Sequence, residues 1–154
     1  MADILVRNPW DNGVVQRYRD MGDGTFAPVS VANPDIYPPG STPVRVGATA
    51  AAGATSATMP AVAGKTNYLT GFAVTGGGAT AASIVTVTVT GLVGGTQTYK
   101  VAIPAGTTAG ITPLIATFVP PLPASAANVA IAINLPSFGA GNTDAAVAAY
   151  GFVM

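Results

Sequence analysis

The chain has 154 residues, of which 49% are apolar and only 8% are charged, whereas an ordinary soluble domain has about 25% charged residues. Six basic residues balance six Asp residues, and the sequence contains no Glu, His or Cys. A net charge near zero removes the electrostatic repulsion that normally keeps copies of a protein apart. The composition therefore excludes disulfides and His- or Cys-based chemistry, and it predicts a surface that other protein copies cover.

Residues 1–45 differ from the rest of the chain because nine of the twelve charged residues lie there. Residues 14–19 and 25–31 have the composition of strands and flank a run of turn formers, residues 20–24, which predicts a β-hairpin. Residues 33–40 are rich in proline, which neither a β-ladder nor a helix accommodates, and they predict an extended arm or linker. The N-terminus shows no secretory signal. We therefore expect an N-terminal arm with a hairpin over residues 1–45 and a β-sandwich domain over residues 46–154.

Residues 46–64 consist mostly of Ala, Gly, Thr and Ser. Alanine favours helix, but Gly47, Gly53 and Pro60 act against it, and no helical apolar period is present. One interpretation is a strand with loosely ordered flanks. The other is that small side chains allow the backbones of two copies to approach closely near a symmetry axis.

From residue 66 onward, extended runs alternate with clusters of Gly or Pro, which is typical of an antiparallel β-sandwich. The runs cover residues 67–75, 83–92, 96–103, 111–119, 127–135 and 145–153. In the second run, Val85, Val87 and Val89 alternate with three Thr residues, so one face joins the core. The other face is polar but uncharged, which suits a second packed layer or a protein interface. The predicted fold class is all-β, a jelly-roll-like sandwich with an extended arm.

Three short segments have some likeness to ligand sites. Residues 20–24 (Asp-Met-Gly-Asp-Gly) share acidic and glycine positions with a calcium loop but lack its ligand series and terminal Glu, so we interpret them as a turn. Residues 76–78 are three glycines, but no Lys-Ser/Thr follows as in a phosphate-binding loop, and a plain loop is predicted. Residues 142–144 (Asn-Thr-Asp) either form a turn or anchor a sugar or a cation. We expect no cofactor, no metal and no enzymatic activity.

The N-terminal region contains residue types that are enriched at the centres of protein interfaces. These candidate contact residues are Arg7, Trp10, Arg17, Tyr18 and Arg19. They predict either an anchoring arm or a local turn packed on its own domain. Nucleic-acid binding is not expected, because the only cluster of basic residues is followed directly by Asp20. No apolar run reaches the length of a membrane-spanning helix, and no membrane association is expected.

Residues 18–29 read Tyr-Arg-Asp-Met-Gly-Asp-Gly-Thr-Phe-Ala-Pro-Val and precede a region rich in Gly, Thr, Ala and Val. This layout resembles small virion structural proteins of tailed bacteriophages, particularly head decoration (cement) proteins. The resemblance implies a jelly-roll or related β-sandwich, usually a homotrimer, which is made in the host cytoplasm and seated on the outside of the capsid. It further implies the major capsid protein and copies of the chain itself as partners, with arms that reach onto neighbouring subunits.

Two alternatives remain at the level of sequence. A host-recognition module of a head or tail fibre would bind surface glycans through exposed aromatic residues, for which Tyr68, Tyr99 and Tyr150 are candidates. The second alternative is another virion component, such as a tail tube or baseplate protein.

Overall fold

The computed structural model describes residues 37–154 in full and, before them, the backbone of three strands. The chain divides into two units, Met1–Ile36 and Tyr37–Met154. This division lies nine residues before the predicted boundary at residues 45 and 46. The difference arises because the first strand of the second unit begins at Thr42.

The first unit contains a three-stranded antiparallel sheet in the order β1-β2-β3. The strands are β1 (Asp3–Arg7), β2 (Val15–Asp20) and β3 (Phe26–Pro28). Strand β2 pairs with β3 in a register that sets Asp20 opposite Phe26, and it pairs with β1 in a register that sets Arg19 opposite Asp3. The sequence pattern predicted strands at β2 and β3 but not at β1.

The second unit is a sandwich of two antiparallel sheets, and the prediction of an all-β fold is confirmed. One sheet has the order β10-β6-β12-β4, with β9 also paired to β6, and the other has the order β5-β11-β7-β8. Its strands are β4 (Thr42–Ala50), β5 (Thr55–Met59), β6 (Asn67–Ala79), β7 (Ser83–Thr90), β8 (Gln97–Ile103), β9 (Gly106–Gly110), β10 (Leu114–Pro123), β11 (Ile131–Leu135) and β12 (Asp144–Val153).

The core lies between the two sheets and is formed by alternate residues of the strands. Val85, Val87 and Val89 of β7 are buried, while the Thr residues between them are half-buried on the opposite face, as the alternation predicted. Phe72 of the central strand β6 is fully buried, and its ring contacts Tyr99 of the facing sheet edge-on, with ring centroids 5.0 Å apart. Burial of these apolar side chains is the main source of the sandwich's stability.

Three predictions about strand boundaries were wrong. Residues 76–78 lie within strand β6 and not in a loop, because their glycines pair with β9 and β12, where side chains would collide. Residues 46–64 hold the end of one strand and all of another, in different sheets. Residues 120–123 (Pro-Pro-Leu-Pro) lie beyond the predicted run but belong to β10, whose pairing with β6 shifts register between Thr117 and Leu122, so the ladder tolerates the prolines.

Candidate functional site

The outer face of the four-stranded sheet is polar, and its side chains bond to one another. Ser56 Oγ donates to Asn134 Oδ1 at 2.9 Å, and Asn134 Nδ2 donates to Thr88 Oγ1 at 3.4 Å. On the neighbouring strand, Lys100 Nζ donates to Thr86 Oγ1. These hydrogen-bonded hydroxyl and amide groups are compatible with water, and Ile84 near the start of β7 is a large apolar side chain exposed on the same face.

The outer face of the five-stranded sheet has a different character, because small side chains lie side by side across its strands. The strand register defines two rows of residues across this face. One row consists of Thr49, Ala146 and Thr75, and the other consists of Gly47, Ala148, Ala73 and Ile115 of β10. We name the centre of this surface the alanine face; it consists of Gly47, Thr49, Ala73, Thr75, Ala146 and Ala148. Its residues are half-buried or exposed, and none of them is charged.

One charged side chain marks each end of the alanine face. Arg45 is exposed on β4 and lies opposite Tyr150, and Asp144 is exposed at the start of β12. The alternation along β4 and β12 puts both residues on the same outer face as Ala146 and Ala148. Asp144 and Tyr150 are six residue steps apart along the extended strand, which corresponds to about 20 Å. The two charges are therefore too far apart to pair within one copy.

Large side chains stand at the borders of this surface. Tyr150 is 38% exposed and Ile115 is 69% exposed. A hollow of about 430 Å³ lies over the alanine face and is lined also by Tyr150, Ala48 and Val147. The surface thus combines a shallow depression with a projecting aromatic ring, a combination typical of protein interfaces.

An aromatic cluster covers the end of the sheet beyond Tyr150. Tyr68 stacks on Phe152 with ring centroids 5.0 Å apart, and Tyr37 meets Phe152 edge-on at 5.8 Å. Phe152 is buried by these contacts. Tyr99 points into the sandwich, where burial raises the pKa of its hydroxyl and the hydroxyl donates to Gln97 Oε1. Among the three candidate glycan-binding tyrosines, only Tyr150 is exposed.

A groove of about 440 Å³ adjoins the other end of the alanine face, and Thr75 and Ala146 line both concavities. Its walls come from the glycines of β6, from residues 107–110 and from residues 143–146. Polar groups in the groove are threonine hydroxyls and the carboxylate of Asp144, and its lining includes no aromatic residue. Within the described residues, no cluster of three potential acidic, His or Cys ligands forms a metal site.

Hydrogen bonds to the buried residue Asn142 stabilise the turn at residues 142–144. Asn142 is buried, its Oδ1 accepts a hydrogen bond from the Asp144 amide at 3.2 Å, and its carbonyl accepts one from Ala52 at 2.8 Å. Asn142 therefore orders the backbone before β12, as the interpretation as a turn predicted. Asp144 alone presents a charged group to the groove.

The residues predicted to contact a partner lie in the first unit. Arg7 ends β1, and Arg17, Tyr18 and Arg19 lie consecutively on β2. The β-ladder sets Leu5 opposite Arg17 and Ile4 opposite Tyr18. Trp10 lies outside the described residues. Close approach of two copies through small side chains was predicted only for residues 46–64, which include Gly47 and Thr49. The rest of the alanine face was missed, because the face combines residues of three strands whose neighbours only the topology reveals.

Comparisons with protein-family models, with curated proteins and with solved structures found no match for this chain. In the part of the chain that the structure describes, no helix is long and apolar enough to cross a membrane.

Proposed function

We propose that this chain is a structural virion protein, a decoration or cement protein that binds the outside of a phage head and stabilises the shell by bridging capsomers. The observation that carries the proposal is the surface of the sandwich. Residues 37–154 contain only four charged residues, and the outer face of the five-stranded sheet is small and uncharged at its centre. A surface of this kind is suited to protein contacts repeated over many copies, where weak contacts add up through valency.

The strand order supports a jelly-roll interpretation of the sandwich. Within the sandwich, the first strand, β4, lies beside the last, β12, and the chain passes to the other sheet at almost every connection. If β9 and β10 count as one interrupted strand, each sheet has four positions, as in a jelly roll. This architecture is common in viral capsid proteins, and it leaves the two outer faces free to meet different surroundings.

The proposed partners are the major capsid protein and copies of the chain itself, with the virion surface as its location. The proposed capsid contacts are Arg7, Trp10, Arg17, Tyr18 and Arg19. The homotrimer implied by the phage resemblance is one candidate copy number. We propose no catalytic role, because the sandwich holds one carboxylate and neither His nor Cys to act as a base or nucleophile.

The capsid contact is tested by deleting residues 1–36, which leaves the aromatic packing of Tyr37 on Phe152 intact. Purified heads that lack the protein are mixed with the full chain or with the truncated chain, and bound protein is counted after sedimentation. We expect saturable binding and a higher particle melting temperature with the full chain only. Equal occupancy by the truncated chain would show that residues 1–36 do not hold the capsid.

Glycan recognition is the second candidate, favoured by the groove beside Asp144. Threonine hydroxyls and one carboxylate are groups that bind sugar hydroxyls, but the groove lacks the aromatic ring on which sugars commonly stack. A glycan array probed with the full chain and with Asp144→Asn distinguishes the two functions. Binding that the substitution abolishes would support host recognition, and an array without binding would support the decoration function.

A further inference from the structure

We propose that a second copy of this chain packs on the alanine face, so that Arg45 of each copy lies opposite Asp144 of the other. The inference goes beyond the proposed function, because it concerns the contact between copies in solution and does not depend on a capsid. It also differs from the homotrimer implied by the phage resemblance, since a two-fold contact joins copies in pairs.

The size of the surface fits a contact between two folded copies. Strands β10, β6, β12 and β4 lie side by side, and four strands about 4.8 Å apart and nine residues long cover on the order of 600 Å². A stable protein contact buries about 600–1,000 Å² on each partner. Ile115 and Tyr150 at the borders add apolar area to this projection. The whole outer face of this sheet, with the alanine face at its centre, is therefore large enough to hold two copies together.

The side chains allow two sheets to approach closely. Gly47, Ala148 and Ala73 form one cross-strand row without a branched or charged side chain. Sheets that pack face to face lie about 10 Å apart, a spacing that medium-sized side chains normally fill from both sides. Since Tyr150 lies opposite Arg45, its projecting ring meets the Asp144 end of the other copy, where the groove beside Asp144 has room for it. The groove and the ring lie at opposite ends of the same surface, as a self-complementary contact requires.

The charges determine which occupant and which orientation the face favours. Of the four charged residues in residues 37–154, Asp144 is the only acid, and it lies at one end of the face while Arg45 lies at the other. In a two-fold contact with the strands of the two copies nearly antiparallel, each Arg45 meets the Asp144 of the other copy, and two opposite-charge pairs form. A partner surface that carried charges of one sign only would place a like charge next to one end of the face.

The test uses charge reversal at both ends of the face in the full-length chain. Sedimentation equilibrium is measured for the wild type, Arg45→Asp, Asp144→Arg and the double variant. We expect a dimer for the wild type, and a dissociation constant at least about tenfold higher for each single variant, since each reversal places two pairs of like charges in the contact. The double variant exchanges the charges and is expected to recover the dimer.

Lys100→Asp is the matched control, because Lys100 is also exposed and basic but lies on the outer face of the other sheet. It changes the net charge by the same amount as Arg45→Asp and is expected to leave the dimer unchanged. Circular dichroism of each variant checks that the fold is retained.

Three outcomes would overturn this inference. A monomeric wild type would show that no second copy occupies the face, as would be the case if residues 1–36 of the same chain covered it. A trimer that both single reversals leave intact would place the contact elsewhere, while the proposed capsid function would still stand. A double variant as weak as the single variants would show that Arg45 and Asp144 do not meet.

Discussion

Asn67 is a buried polar residue that joins two loops to the first residue of β6. Its side-chain amide donates to the carbonyls of Pro60 and Val129, both at 2.9 Å. In Asn67→Ala these carbonyls lose their donor, and we expect the free energy of unfolding to fall by about 1–3 kcal/mol. Urea denaturation at pH 7 measures the loss.

Asn67→Asp extends this prediction to pH. A carboxylate beside two carbonyl oxygens in a buried site is unfavourable, so the folded-state pKa of the new Asp rises above its unfolded value of about 3.9. The protonated acid donates one hydrogen bond, and the stability it contributes is present below the unfolded pKa and lost as pH rises through the folded pKa. Asn67→Asp is therefore expected to be less stable than Asn67→Ala at pH 7, and the gap to close towards pH 4. A gap independent of pH would contradict this.

Gly77 and Gly110 face each other across β6 and β9 and form a matched pair. A Cβ on Gly77 would lie 2.6 Å from the carbonyl oxygen of Ala109, whereas a Cβ on Gly110 would meet its nearest neighbour at 3.8 Å. We expect Gly77→Ala to lower the free energy of unfolding by about 1–3 kcal/mol. Gly110→Ala should be neutral or stabilising by up to about 1 kcal/mol. Thermal unfolding of both variants checks the difference, and equal losses would contradict the close approach.

Strands β6 and β10 are neighbours in one sheet, but they carry side chains that differ strongly in burial. Phe72 of β6 is fully buried against Tyr99 and Phe118, while Val119 of β10 is 97% exposed. We expect Phe72→Ala to cost about 3–5 kcal/mol through lost burial and a cavity. Val119→Ala should change stability by less than about 0.5 kcal/mol. Chemical denaturation of the two variants side by side measures both, and a loss at Val119 would show that another surface covers it.

The alternation of apolar and polar residues predicted strands such as β7 and β11, because each has one face in the core. The same reasoning missed β9 and ended β6 too early. Glycines 76–78 carry no side chain to show a period, and their place in the ladder depends on partners that are distant in sequence, residues 106–110 and 144–145. Strand order also determines which outer face carries polar side chains and which carries small ones, and local sequence patterns do not reveal strand order.

At the scale of the whole molecule, the chain combines a first unit that holds eight of the twelve charged residues with a sandwich that holds four. The composition alone predicted this contrast and the all-β class. It could not show that Arg45 belongs to the sandwich and lies at one end of a sheet face with Asp144 at the other. That arrangement requires β4 and β12 to be neighbours, although about a hundred residues lie between them.

We propose that this chain is a virion surface protein present in many copies. Cryo-electron microscopy of purified virus particles from the source of the gene, with quantitative mass spectrometry of the same sample, tests it most directly. We expect density for the sandwich on the outside of the head at repeated lattice positions, with a copy number that follows the capsid symmetry. Absence of the chain from the particles, or its presence in a few copies on the tail alone, would contradict the proposed function.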